Sequence, residues 1–357
     1  MRCCHRYLFI VLLAVPPICH AGFDPYFKVD SLFYSEPIAV KAITGNWHAP
    51  LHSGDTAFTT DKIEIGIAWD GWSIGTLYRY DYFFNFTPET AELVHSSKNK
   101  IELKPGRHYS LALNANGLRT RGIKLAREIR IDQGLSVSAG VSLLEGVKFI
   151  NGGISGNAVA TAVKDYDVNF QVDYTYSKDT LFDRIATPPK GKGYSLDLDA
   201  NWQPTRSLKV SLAWLDLLGM VKWFDAPFTK ATGNTDNKAY DENGYVIYNP
   251  VVTGIESNRD YKQRIPRKFF LESSYHYTKQ SSFQLKYQDY GIEDFFYAGI
   301  GWETANDLKL KLLYCAEVGT IDIGFAMPNF SIALISDDTN INAARVFGLR
   351  LSYLTQF

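Results

Sequence analysis

Twelve charged residues, Glu64, Asp70, Arg79, Asp81, Lys124, Glu128, Arg130, Asp197, Asp199, Lys309, Lys311 and Arg350, sit in runs whose alternate positions are mostly apolar. Strand side chains repeat every two residues, so these charges share a polar face opposite an apolar one. Acids and bases are mixed, and the chemistry open to them is electrostatic. They either form salt-bridged ladders that fill a narrow enclosure or line a wet pore of weak ion selectivity.

Spacings suited to catalysis or metal binding are absent elsewhere. His48 and His52 are four apart, but Pro50 lies between them and no glutamate completes a zinc-protease arrangement, so they read as loop histidines. Asp236, Asn237, Asp241, Asn243 and Gly244 resemble a truncated calcium loop without its bidentate glutamate and read as solvated loop acids. His95, His108 and His276 are scattered, and no nucleophile, base and orienting acid form a specific pattern. No phosphate loop or dinucleotide fingerprint occurs. The expectation is a non-enzymatic protein without cofactor or metal.

The elements that must position the charges are strands. Ile63, Ile65, Ile67 and Trp69 alternate with Glu64, Gly66, Ala68 and Asp70, and Asp70-Gly71 turns the chain into a second alternating run over 73–86. Tyr109, Leu111, Leu113 and Ala115 lead through Asn116 and Gly117 to Ile123, Leu125, Ile129 and Ile131, with Arg127 interrupting the apolar face. Leu135, Val137, Ala139, Val141 and Leu143 alternate with serines and Gly140. A Gly-rich loop is expected over 151–156, then further strands over 168–176, 194–202 and 208–214. Residues 223–268 break any period and read as the largest extracellular loop, able to fold back into a barrel mouth. Five more strands are expected over 269–277, 283–289, 296–302, 308–314 and 321–334. Trp69, Tyr82, Trp202, Trp214 and Trp302 read as membrane-interface anchors.

The closing segment, RVFGLRLSYLTQF, puts Phe347, Leu349, Leu351, Tyr353 and Phe357 on one face. It resembles the last strand of Gram-negative outer-membrane β-barrels, which implies that Phe357 is an assembly signal read by the barrel assembly machinery. Residues 193–223, GYSLDLDANWQPTRSLKVSLAWLDLLGMVKW, resemble a hairpin of poorly characterised outer-membrane barrels related to the long-chain fatty acid transporter fold. The chain lacks an Asn-Pro-Ala segment near its mature start, as a plugged lipid transporter of that kind would have.

Residues 1–21 have a basic start, a short apolar run and Ala21 before Gly22, the pattern of a cleaved signal peptide. Its removal takes Cys3, Cys4 and Cys19 and leaves only Cys315, so no internal disulfide is expected. Loss of Arg2 and Arg6 leaves 35 Lys and Arg against 38 Asp and Glu, a formal charge of −3 that offers no nucleic-acid surface. No apolar run beyond the signal is long enough for a spanning helix, whereas 22 Tyr, 22 Phe and seven Trp suit aromatic girdles.

The sequence therefore predicts an all-β chain: a transmembrane antiparallel up-and-down β-barrel over 22–357 of about 14 strands, 12 to 16 being compatible with strand length. Expected partners are outer-membrane lipid, the assembly machinery and a small-molecule solute, in the bacterial outer membrane. The leading function is a channel or transporter for a small, apolar or weakly polar solute. A structural or accessory barrel of a secretion or surface-assembly system and a barrel hydrolase are the alternatives.

Overall fold

The computed structural model describes residues 22–43, 45, 47–235, 238–248, 251–304 and 307–354. The expected signal peptide and Phe357 lie outside them. The described chain is built from β1 (Asp24–Ser35), α1 (Val40–Ile43), β2 (Thr56–Trp69), β3 (Trp72–Phe86), α2 (Pro88–Asn99), β4 (His108–Arg130), β5 (Leu135–Ala162), β6 (Asp165–Tyr176), β7 (Lys190–Trp202), β8 (Leu208–Asn234), β9 (Lys238–Tyr240), β10 (Val246–Tyr248), β11 (Val251–Arg264), β12 (Lys268–His276), β13 (Ser281–Asp289), β14 (Asp294–Glu303), β15 (Lys309–Cys315), β16 (Thr320–Met327), β17 (Phe330–Ser336) and β18 (Val346–Leu354).

Antiparallel pairing runs β1 to β5, then β7, β8 and β12 to β18, and β18 pairs back on β1 with Phe33 opposite Phe347, closing a 14-stranded barrel. Closure leaves the first and last strands no free edge within the barrel. At the near end, where Asp24 and Leu354 lie, connections are two to five residues long. Asp70 (φ 42°) and Gly71 (φ 74°) form one of them, a type I′ geometry matched to strand twist.

The burial pattern is inverted relative to a water-soluble protein. Ile63, Ile65 and Ile67 of β2 are exposed on the outside while Glu64 is buried inside, and β3 buries Arg79 and Asp81 while exposing Ile74 and Tyr78. An apolar outer band therefore surrounds a polar interior. Trp202, Trp214 and Trp302 stand on that outer surface. Arg127 also faces outward, its guanidinium 4.6 Å from the centre of the Trp72 ring. That cation–π contact accounts for a charge on the apolar face.

Two expected irregular stretches are strand instead. Residues 151–156 belong to β5, which is 28 residues long, and Asn116-Gly117 lies inside the 23-residue β4. Here glycine gives room for partners: a Cβ at Gly156 would meet the Asn169 carbonyl oxygen at 2.1 Å, and one at Gly117 the Tyr82 ring at 2.3 Å. Most of 223–268 is likewise ordered, because β8 continues to Asn234 and pairs with β11 as far as Met220↔Arg264. Backbone pairing tolerates the breaks in side-chain period that hid this hairpin.

At the far end β4, β5, β6, β8 and β11 rise beyond the barrel as an extension, since a spanning strand needs only about 9 to 11 residues. Helix α2, capped by Thr87 with Pro88 at its start, covers the extension's apolar outer face through Leu93, against Tyr109, Ala158 and Val168.

Candidate functional site

The closed barrel encloses a lumen, and the residues on its wall divide it into three levels. In the middle lies a belt of ion pairs. Arg79 donates from Nη1 and Nη2 to the two carboxylate oxygens of Asp216 (2.5 and 2.7 Å) and from Nε and Nη2 to Asp81 Oδ2 (3.1 and 2.9 Å). Lys268 donates to Asp81 Oδ1 at 2.8 Å, and the Thr60 hydroxyl to that Oδ1 at 2.7 Å. Lys124 pairs with Asp197 at 2.7 Å, Lys62 bridges Asp197 and Glu64 at 3.6 and 3.3 Å, and the Tyr26 hydroxyl donates to Glu64 at 2.9 Å.

Four cations (Lys62, Arg79, Lys124, Lys268) thus face four carboxylates (Glu64, Asp81, Asp197, Asp216), a formally neutral set. Charges removed from water persist only when paired and hydrogen-bonded in this way. The cavity left between Lys62, Arg79, Asp216 and Lys268 is about 20 Å³, room for about one water.

Asp216 reaches the belt through a backbone irregularity. On β8, Val210, Leu212 and Trp214 face outward, and an unbroken period would send residue 216 out with them. Asp216 instead has φ 56°, and the β7–β8 register slips between Leu196 and Leu198. The bulge turns its carboxylate inward, where its own N–H donates to Asp197 at 3.0 Å and Ser195 donates to it at 2.6 Å.

Toward the near end the lumen opens into a vestibule of about 400 Å³. Glu272 accepts from Arg350 at 3.2 Å and pairs with Lys311 at 3.5 Å, while Lys309 pairs with Glu303 at 3.3 Å. Room exists because facing positions are small: Ser211, Ser274, Ser282, Gly301, Gly324 and Ala333 line the same space. Beside it, Lys286 and Asp322 form a buried pair at 2.6 Å.

Toward the far end the interior is apolar. Tyr34, Phe58, Phe83, Tyr290, Phe295 and Tyr297 cluster with Leu32, Leu313, Ile335 and Val346. Across from them, the root of the β8–β11 hairpin inserts Trp223, stacked on Phe149 at 4.2 Å and donating from Nε1 to Gln263 at 2.9 Å, among Leu118, Leu144 and Val221.

Of the charges singled out by alternation, Glu64, Arg79, Asp81, Lys124 and Asp197 meet in the belt, and Lys309, Lys311 and Arg350 at the vestibule. Asp199 is half-buried beneath the belt, while Glu128 and Arg130 lie with Asn201 and Lys209 at the near mouth. Lys62, Asp216, Lys268, Glu272, Lys286 and Asp322 escaped notice. Alternation could have found Lys286, between Gln284 and Gln288, whereas nothing local marks Asp216.

Among the described residues no group of three or more His, Cys, Asp or Glu is arranged to hold a metal ion. Asp241 serves a turn, accepting from the N–H groups of Asn243 and Tyr245 at 3.0 and 2.9 Å, while Asp236 and Asn237 lie outside the described residues.

Residues 26–314 match the family of unknown function DUF5723. The chain belongs to this family. No curated protein matches this DUF5723 member. Among solved structures it is similar to a TodX deltaS2S3 mutant monoaromatic hydrocarbon channel, at 10% identity and TM-score 0.47 over 95% of this chain and 91% of that one. It is also similar to the CymD monoaromatic hydrocarbon channel (11%, TM-score 0.39, 94% and 88% covered) and to a Pseudomonas aeruginosa FadL homologue (9%, 0.38, 93% and 90%). These scores are low, and the architecture of this DUF5723 chain stands on its own strand pairing.

Proposed function

We propose that the protein is a non-enzymatic outer-membrane channel or transporter whose lumen is strongly constricted, with the vestibule on the periplasmic side. Every near-end turn is short, whereas the far end carries the long β1–β2 and β3–β4 connections and the strand extension, which fits that orientation. The observation that carries the reading is the 400 Å³ vestibule, a volume within the ordinary range for small-molecule sites. Its charged wall of Glu272, Lys309, Lys311 and Arg350 suits a polar solute better than a hydrocarbon. The basic start and short apolar run of residues 1–21, a signal-like pattern, support export of the chain.

The far-end barrier sits at the root of the β8–β11 hairpin and not at its tip. Trp223 is fully buried, whereas the tip packs sideways, with Lys238 paired to Asp165 and Asp167. Planar-bilayer recordings of the wild type should give small, weakly selective conductance, and Trp223→Ala should raise it. Deleting residues 233–244 should leave it unchanged.

A second reading, a sealed structural or accessory barrel, is favoured by the neutral belt and the aromatic layer. Silence of both the wild type and Trp223→Ala, each shown to be folded by heat-modifiable migration, would decide for that role. Recovery of the protein outside the outer-membrane fraction would overturn both.

A further inference from the structure

Five neighbouring strands bring charged side chains to one level of the outer wall. Arg121 of β4 stands opposite Glu145 of β5, Glu145 opposite Lys192 of β7, Lys192 opposite Lys222 of β8, and Lys222 opposite Lys262 of β11. Neighbouring strands are about 4.8 Å apart, so the row extends roughly 19 Å around the barrel. One pleat beyond it, Arg119 stands opposite Lys148.

The row faces outward. Two positions toward the near end the same faces expose Ile123 (55%) and Leu143 (69%), Leu218 of β8 is 61% exposed, and the intervening Val221 and Trp223 are buried inside. It therefore borders the apolar band directly. Its cations outnumber its acids: Glu145 pairs with Arg121 at 2.9 Å and Asp260 with Lys222 at 3.0 Å. Among the described residues Lys148, Lys192 and Lys262 have no carboxylate in ion-pair range. The opposite side of the same end is acidic, with Asp289, Glu293, Asp294 and Glu317 in or beside its short connections.

We infer that this row binds the phosphates of a multiply phosphorylated membrane lipid whose acyl chains lie against Ile123, Leu143 and Leu218. Lipid phosphates lie at the edge of the hydrocarbon, the level at which these cations sit, and each nearby Lys or Arg adds electrostatic attraction. Arg119 adds donors suited to phosphate oxygens, while the Arg121 fork is engaged by Glu145. A row of this length spans more than one phosphate. A free anion would use the cations but not the apolar surface beneath them, so the lipid is the occupant the geometry favours. The inference rests on the membrane-spanning reading and not on whether the lumen conducts.

The test uses the folded barrel in phosphatidylcholine nanodiscs, titrated with bisphosphorylated lipid A and with its dephosphorylated form, bound lipid being counted by native mass spectrometry. The wild type should hold the bisphosphorylated lipid at least about tenfold more tightly than a variant carrying K148Q, K192Q, K222Q and K262Q, and high salt should shrink the difference. These exposed substitutions leave the lumen untouched, and heat-modifiable migration checks the fold. Equal retention by the variant, or equal binding of the dephosphorylated lipid, would overturn the inference alone. Displacement of the lipid by inorganic phosphate at equal concentration would also overturn it, by showing a simple anion site. Failure to enter the nanodisc would bring down the membrane-spanning reading with it.

Discussion

The belt and the vestibule are made from the same side-chain types on the same barrel wall, yet they are opposite environments. In the belt Arg79 and Asp81 are 5% and 1% exposed, and every cation touches at least one carboxylate. At the vestibule the Lys309 side chain is 50% exposed and that of Lys311 28%. The difference comes from neighbours: long charged chains converge on the bulge at Asp216, while serines, glycines and Ala333 leave the vestibule open. Facing the lumen therefore does not fix what a charge contributes. Access of water does, because it sets both the desolvation cost and the strength of each ion pair.

The sharpest way to break this comparison is to remove one cation from each level. Arg79→Ala leaves Asp81 and Asp216 short of their main partner and should cost about 3 to 5 kcal/mol, seen as a loss of folded, heat-modifiable protein. Lys311→Ala should cost no more than about 1 kcal/mol, because water replaces the lost contact. Similar losses at both sites would show that the belt is as wet as the vestibule.

The contrast between the two faces of one strand gives the next effect. Val141 is exposed on the outer face of β5, and Val141→Arg should cost about 2 to 4 kcal/mol in a bilayer. Ser138 faces inward between Glu128 and Asp199, so Ser138→Arg gains acidic neighbours and should be much milder. Urea unfolding in lipid vesicles measures both, and equal costs would contradict the assignment of faces.

The smallest expected effect lies outside the bilayer. Glu293, in the short β13–β14 connection, has its carboxyl pushed up to about 7 by burial and by Glu36, Asp294, Asp55 and Glu317. The folded form then binds the proton more tightly than the unfolded chain, so stability from this group is present at low pH and is lost as pH rises from the ordinary glutamate range through about 7. The thermal midpoint should fall modestly over that window in the wild type, and Glu293→Gln should flatten the trend. An unchanged slope in the variant would assign the dependence to other groups.

Much of the fold was legible because alternation is local. Ile63 to Trp69 and Leu135 to Leu143 carry their two-faced pattern in consecutive residues, Asp70-Gly71 carries its turn in two, and a count near fourteen comes from strand length and chain length. The extension was hidden because pairing is a backbone property. Glycines at 152, 153 and 156 look like a loop in isolation and become strand only when the β6 backbone lies against Gly152 and Gly156 and β4 against Gly153.

For this protein the sequence by itself determined which residues could face lipid and which could face an interior, since that depends only on period. Tertiary structure decided how the interior is used. Whether Arg79 would meet Asp216, why a residue two positions after outward Trp214 turns inward, and where Trp223 would lodge all depend on partners between 19 and 137 residues away. The bulge on β8 sets four residues against two of β7, so Leu218 faces outward again as Trp214 does while Asp216 between them turns in, and only the partner strand reveals it.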